Sequence, residues 1–347
     1  MKQRRANFEL LRIVAMLMII TMHYLDKGGI LPKPDAAFGT VGYLAWGMEA
    51  FCVCAVNVYV LISAYFLAEC EYRPLKAVKL WLTVVFYSVT IAAVLAAVGV
   101  IPLSQLDPYR ILNYIFPVIE EHYWFVTAYI LMFLLAPLMN GTLRSLPVRT
   151  YRQGIFLLLL LLCVSKSILP VKLPTDRLGY DALWFLCLYL IGAYIRYHGK
   201  ERYNGWFAAA GYFLCCLLMF ASFAALRSFY QKTGSLADFI NRQYQYNSVL
   251  CLLAAICLFL AFAGLSIPEG KTAALICKAA SASFGVYLIH EHLDVRYLWP
   301  QWIGTAYFAD TSWFLLHWLL SIVAVYVVCM VIDFVRQWLF IKIKIRT

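Results

Sequence analysis

The chain has 347 residues, of which 64% are hydrophobic and only 14% are charged. Together with a mean hydropathy of +0.77, this composition excludes a soluble globular domain of this length and indicates a polytopic membrane protein. The formal net charge of +11 does not require a nucleic-acid partner, because lysine and arginine accumulate beside the cytoplasmic ends of membrane helices.

The apolar segments predict an all-α fold. A helix needs about 20 residues to cross a bilayer, and about ten segments approach that length. An even number of spans after a basic N-terminus puts both termini in the cytoplasm, and most lysine and arginine side chains then lie on that side. The predicted transmembrane helices are residues 8–25, 43–68, 80–100, 123–139, 155–170, 182–197, 206–226, 249–265, 273–292 and 313–333.

The chain is expected to be a single transmembrane domain over residues 1–347, without a soluble domain. Its first apolar segment lacks a small-residue cleavage site, which favours a retained helix over a signal peptide. The 11 cysteines all lie in or beside apolar segments. They are therefore predicted to be packing residues, and neither disulfides nor a metal site is expected.

The first predicted span carries two ionisable residues, Arg12 and His23. Eleven positions at about 100° each return to within about 20° of the same helix face, with a rise of roughly 16 Å. An unpaired arginine at mid-membrane costs about 2.5 to 3.5 kcal/mol on insertion scales, so it requires a partner or a function. Glu9, three residues before Arg12, is the predicted partner.

Further polar residues are expected at the outer ends of other spans. The topology brings His122 and His290 to the level of His23, with the carboxylates of Glu49 and Glu121 at a similar depth. A cluster of histidines and carboxylates is suited to activating a hydroxyl group. The alternative is that these are interfacial side chains satisfied by backbone or water.

Cations are expected at the inner end, close to Arg12. The loop after the second span carries Arg73, Lys76 and Lys79, which are spaced three residues apart and would share one face of a short helix. Such a face would bind phosphate groups. Ordinary anchoring by cytoplasmic positive charge explains these residues equally well.

Four motifs follow one another along the chain: NFELLRIVAMLMIITMHY, FCVCAVNVYVLISAYFL with the basic loop, HYWFVTAYILMFLLAPLMN and SFGVYLIH. In this order they resemble the motifs of the membrane-bound acyltransferase family 3, bacterial proteins that O-acylate surface polysaccharides. Two positions depart from the family pattern: Ala64 replaces a glycine, and Lys76 replaces the second arginine of an Arg-x-x-Arg loop, which keeps the charge but loses the bidentate guanidinium.

The resemblance implies an O-acyltransferase of the bacterial plasma membrane. It would move an acyl group, usually acetyl, from cytoplasmic acetyl-CoA to a hydroxyl of a cell-surface or lipid-linked glycan. His23 is then expected to be a general base or a transient acyl carrier. The supporting catalytic residues are expected to be Glu49, Glu121, His122 and His290, and the donor-binding residues Arg12, Arg73, Lys76 and Lys79.

Two other functions fit a chain of this composition. One is an exporter of a glycan or lipid-linked sugar, although transporters often show repeated halves with broken helices at matching positions, and no such pair is evident. The other is a membrane sensor without transferase activity. Membrane lipid is a partner in every case, and the identity of the acceptor and the presence of a homo-oligomer stay open.

Overall fold

The computed structural model describes residues 4–71, 74–169, 177–199 and 203–342, and all regular secondary structure within these ranges is helical. The helices of the N-terminal half are α1 (Ala6–Lys27), α2 (Thr40–Cys52), α3 (Ala55–Leu67), α4 (Pro74–Ala97), α5 (Pro108–Ile115), α6 (Trp124–Ser145), α7 (Val148–Leu159) and α8 (Ser165–Ile168). The helices of the C-terminal half are α9 (Ala182–His198), α10 (Gly205–Thr233), α11 (Val249–Ala263), α12 (Lys271–Ala280), α13 (Ser283–His290), α14 (Leu298–Trp302), α15 (Thr305–Ala309) and α16 (Phe314–Lys342).

Nine helical segments of the described chain are long and apolar enough to cross a membrane. They coincide with nine of the ten predicted spans. The tenth prediction, residues 182–197, corresponds to α9, which has 17 residues and so lies at the lower limit for a membrane helix. The all-α polytopic fold is therefore confirmed, while the cytoplasmic location of both termini stays a prediction.

Three predicted spans are not uniform α-helices. The second is interrupted between α2 and α3 at Val53 and Cys54, and the ninth between α12 and α13 at Ser281 and Ala282. The fifth passes from α7 to α8 through a π-helical segment, Leu160–Val164. None of these junctions contains proline or glycine, the residues that usually mark a helix break, so the sequence predicts continuous helices where the structure has interruptions.

Helix α1 lies at the centre of the fold. It packs against α2, α3, α11, α12, α13 and α16. Its residues Leu11, Ala15, Ile20 and Tyr24 have no solvent-exposed surface. Because protein surrounds so much of α1, its polar side chains can face other protein groups or a cavity rather than lipid.

Side-chain caps determine where several helices begin. Asp107, Asp181, Asn204 and Ser248 precede α5, α9, α10 and α11, and each accepts a hydrogen bond from a backbone N–H in the first turn. Such caps satisfy N–H groups that have no partner inside the helix. Helix α10 ends at Gly234, whose φ of 69° is readily adopted by glycine.

Candidate active site

A cavity of about 300 Å³ lies along α1, between this helix and residues of α3, α6, α12 and α13. Its lining residues on α1 include Arg12, Met16, Ile19 and His23. Their spacing marks one stripe of the helix, so the cavity extends along about three turns. Arg12 and His23 thus lie on the same face, as their spacing predicts, and at opposite ends of one cavity.

The end of the cavity at His23, called the outer end from the predicted topology, is lined by His23 and Glu291, with His290 packed against His23. The Nδ1 atom of His23 lies 3.0 Å from Nε2 of His290 and 3.2 Å from Oε2 of Glu291. His290 is 1% exposed and Glu291 is 7% exposed. The fold therefore brings the first and the thirteenth helix together through an interaction between two imidazole rings.

The hydrogen bonds determine which ring nitrogen of His23 carries a proton. Nδ1 of His290 lies 2.6 Å from the backbone carbonyl oxygen of Val286, which can only accept, so this nitrogen donates. In a neutral His290 ring, Nε2 is then an acceptor, and Nδ1–H of His23 donates to it. Nε2 of His23 is left with a lone pair and has no hydrogen-bond partner among the described residues.

Glu291 supplies negative charge beside the two histidines. Its Oε1 atom lies 3.5 Å from a guanidinium nitrogen of Arg296, and its buried Oε2 atom accepts no hydrogen bond within the described chain. Burial raises the pKa of Glu291, and the positive charge of Arg296 opposes that rise. A carboxylate at this distance from Nδ1 would stabilise His23 whenever the ring gains a second proton.

The inner end of the cavity is cationic. Arg12 donates a hydrogen bond of 2.8 Å to Glu9, which confirms the predicted pair. Arg4 lies 3.6 Å from the same carboxylate oxygen and also lines the cavity. The hydroxyl of Tyr59 on α3 donates a hydrogen bond to the backbone carbonyl of Arg12. This bond links α3 to α1 at this level.

Four of the predicted outer residues, Glu49, Glu121, His122 and His290, are not among the residues that line this cavity. Glu121 forms a bidentate ion pair of 2.7 Å with Arg177, whose hydrogen bonds lower the pKa of Glu121. His122 packs edge-on against Tyr114, and burial lowers the pKa of His122. Glu49 is buried, and its Oε2 atom has no hydrogen-bond partner in the described ranges. Of the predicted outer residues, His23 lines the cavity, and His290 contacts the His23 ring from behind it.

The predicted inner loop lies only partly within the described chain. Arg73 is outside the described residues. Lys76 and Lys79 are exposed in the first turns of α4, where Leu80 lines the central cavity. These two lysines are therefore near the cavity but do not form its wall.

The sequence analysis does not single out Arg4, Tyr287 and Glu291, although all three line the cavity. Arg4 lies beside Glu9, the partner of Arg12. Tyr287 and Glu291 stand three residues before and one residue after His290. Positions i, i+3 and i+4 share a helix face, and this spacing was the signal that could have found them.

Comparison with known proteins adds one finding to this geometry. The sequence profile of a family described as an acyltransferase domain matches residues 5–334. No curated protein and no solved structure matches the chain. The family match includes every residue of the central cavity from Arg12 to Glu291.

Proposed function

Since the chain belongs to the membrane acyltransferase family 3, we propose that it acetylates a glycan at the bacterial plasma membrane. The acetyl group would come from cytoplasmic acetyl-CoA, and the acceptor would be a hydroxyl of a cell-surface or lipid-linked glycan. The observation that carries this proposal is the open Nε2 atom of His23, which lies in the same cavity as Arg12.

His23 is suited to act as a general base. Its Nδ1–H is directed to His290, so the lone pair of Nε2 is available to take a proton from a hydroxyl group. Glu291 at 3.2 Å from Nδ1 would stabilise the resulting imidazolium. The same lone pair would also serve as a nucleophile, so a transient acyl carrier at His23 is the second form of this proposal.

The proposed reaction proceeds in two steps at one carbonyl carbon. As Nε2 of His23 removes the hydroxyl proton, the acceptor oxygen attacks the thioester carbon and forms a C–O bond, and the carbonyl electron pair moves to oxygen. When this pair returns, the C–S bond breaks and the thiolate takes the proton from His23. The products are the O-acetyl ester, free coenzyme A and the neutral histidine.

The cationic inner end would bind the anionic part of the donor. Arg4 lines both the central cavity and a second cavity of about 650 Å³, which is also lined by Arg5. An extended pantetheine arm is comparable in length with the roughly 16 Å rise from Arg12 to His23. Acetyl-CoA could therefore place its phosphates near these arginines and its thioester near His23, with Lys76 and Lys79 in supporting positions.

Membrane vesicles from cells that express the protein provide a direct test, because they contain the natural acceptor. We expect label from [¹⁴C]acetyl-CoA to enter an alkali-labile ester of a glycan. General-base catalysis contributes about 10² to 10⁴-fold, so His23→Ala should reduce transfer by that factor while the protein remains inserted. NMR of the surface glycans should show an O-acetyl signal that is lost without the gene.

The matched control is His198→Gln. His198 is a histidine at the end of α9 and is not among the residues that line the cavity. It should retain the activity of the wild type. Transfer by His23→Ala at the wild-type rate would contradict the role of His23, and wild-type vesicles that consume no acetyl-CoA would favour the exporter or sensor function.

A further inference from the structure

The hydroxyl of Tyr287 is a buried hydrogen-bond donor without an acceptor. Tyr287 is 7% exposed, its side chain lines the central cavity, and its hydroxyl oxygen has no hydrogen-bond partner among the described residues. A buried polar group of this kind destabilises the free protein unless a ligand or water satisfies it. The position of Tyr287 in the cavity points to a ligand.

Neighbouring hydroxyl groups in the cavity are already engaged. The Tyr59 hydroxyl donates a hydrogen bond of 2.6 Å to the carbonyl of Arg12. The Ser281 hydroxyl donates a hydrogen bond of 2.7 Å to the carbonyl of Lys278. Tyr287 therefore differs from these residues in having a hydroxyl that remains available to a bound molecule.

Tyr287 lies between the two ends of the proposed donor path. It precedes His290 by three residues on α13, which places it on the same helix face and about 4.5 Å along the axis toward the inner end. The Tyr287 ring centroid is 6.2 Å from that of His290, and His290 contacts His23. A thioester that approaches His23 from the Arg12 end would pass this hydroxyl first.

We infer that Tyr287 is a further catalytic residue, which donates a hydrogen bond to the carbonyl oxygen of the bound thioester. This inference rests on the proposed acyltransferase function. During attack by the acceptor, negative charge accumulates on that carbonyl oxygen, and the Tyr287 hydroxyl stabilises it while keeping its own proton. The proton of the acceptor goes to His23, and the C–S bond breaks when the oxyanion collapses.

The expected contribution is large because the cavity is mainly apolar. A donor that is already directed at the developing oxyanion in such a site typically raises kcat by about 10² to 10³-fold. The effect should be confined to the chemical step, because the same hydrogen bond is weaker with the neutral thioester than with the oxyanion. Binding of acetyl-CoA should therefore change much less than kcat.

Tyr287→Phe tests this role because it removes only the hydroxyl. We expect kcat for acetyl transfer to fall about 10²-fold or more, with the KM for acetyl-CoA within about threefold of the wild type. Thermal stability in detergent should be unchanged or higher, since the lost hydroxyl has no hydrogen-bond partner in the part of the chain that the structure describes. A merely structural role would not produce this combination.

Tyr123→Phe is the matched control. Its ring centroid lies 5.9 Å from that of Tyr287, and its buried hydroxyl donates to the carbonyl of Leu288. This variant should lose stability but keep the wild-type kcat in the folded fraction. The pair thus separates loss of a structural hydrogen bond from loss of a catalytic one.

A spectroscopic measurement tests the contact without relying on turnover. The infrared carbonyl stretch of bound [1-¹³C-acetyl]-CoA should move to lower frequency than in solution, and Tyr287→Phe should reverse the shift. Equal frequencies in the wild type and Tyr287→Phe would overturn the role of Tyr287 even if the wild type transfers acetyl groups. A wild type that neither binds nor transfers the acetyl group would overturn the proposed function, and this role with it.

Discussion

Two histidines at the outer end of α13 stand two residues apart and have different surroundings. His292 is 1% exposed; its Nε2–H donates to the carbonyl of Ser88, and its Nδ1 accepts from the N–H of Asp294. His290 is equally buried, but its partner His23 lines a cavity and has a ring nitrogen without a hydrogen-bond partner within the described ranges. The hydrogen bonds of His292 form a closed network, whereas those of His290 end at an atom that is free to react.

The neighbouring carboxylates show the same difference. Asp294 accepts hydrogen bonds from Arg110 and from Tyr114. Glu291 has a buried Oε2 atom that accepts none in the described chain and lies 3.2 Å from Nδ1 of His23. A cluster of histidines and acidic residues therefore does not identify the active site by itself. The unsatisfied atoms beside a cavity distinguish it from a structural network.

Glu291→Gln should have the largest effect on transfer among the variants that test this difference. An opposite charge within about 4 to 6 Å stabilises a charged side chain by about 1.4 to 4 kcal/mol, so loss of the charge next to His23 should reduce kcat by about tenfold or more. Steady-state transfer in vesicles measures this. Asp294→Asn is the control in the closed network, and an equal loss of kcat in both variants would contradict the comparison.

Arg12→Ala should have a smaller effect on kcat and a clear effect on donor binding. Removing the guanidinium at the inner end should raise the KM for acetyl-CoA by about tenfold or more, because a charge-assisted contact with the donor is lost. Arg12→Lys should be intermediate, since lysine keeps the charge without the bidentate geometry. Unchanged donor affinity in Arg12→Ala would show that only the outer part of the cavity is used.

His292→Gln should have the smallest effect on transfer. Loss of its two hydrogen bonds leaves buried groups unpaired, which costs about 1 to 3 kcal/mol of stability, while kcat per folded molecule should stay at the wild-type value. A large fall in kcat without loss of stability would assign His292 to the active site instead. Thermal unfolding in detergent and the transfer assay measure the two quantities.

The same variant should alter the pH dependence of stability. Burial lowers the pKa of His292 below its ordinary value of 6.5, so the folded protein holds the ring neutral while the unfolded chain binds a proton below about pH 6.5. Stability should therefore fall as the pH decreases through this range. The fall should be shallower in His292→Gln.

The sequence predicted the helical spans, the common face of Arg12 and His23, and the pairing of Arg12 with Glu9. Each of these depends on helical periodicity or on length. The polar residues at the outer ends of the helices were predicted less well. Hydropathy indicates the depth of Glu49, Glu121 and His122, but it does not indicate how each helix is rotated about its own axis. Residues at one depth can thus lie on different sides of the bundle.

The chain order and the apolar periodicity by themselves determined an all-α membrane protein whose first helix carries polar side chains. Only the tertiary structure decided that His290 and Glu291, rather than Glu121 or His122, lie beside His23. Only the tertiary structure showed that the hydroxyl of Tyr287, which lines the cavity, has no hydrogen-bond partner among the described residues. The physical reason is that hydrogen-bond partners and helix rotation depend on contacts between segments distant in sequence, which local patterns do not encode.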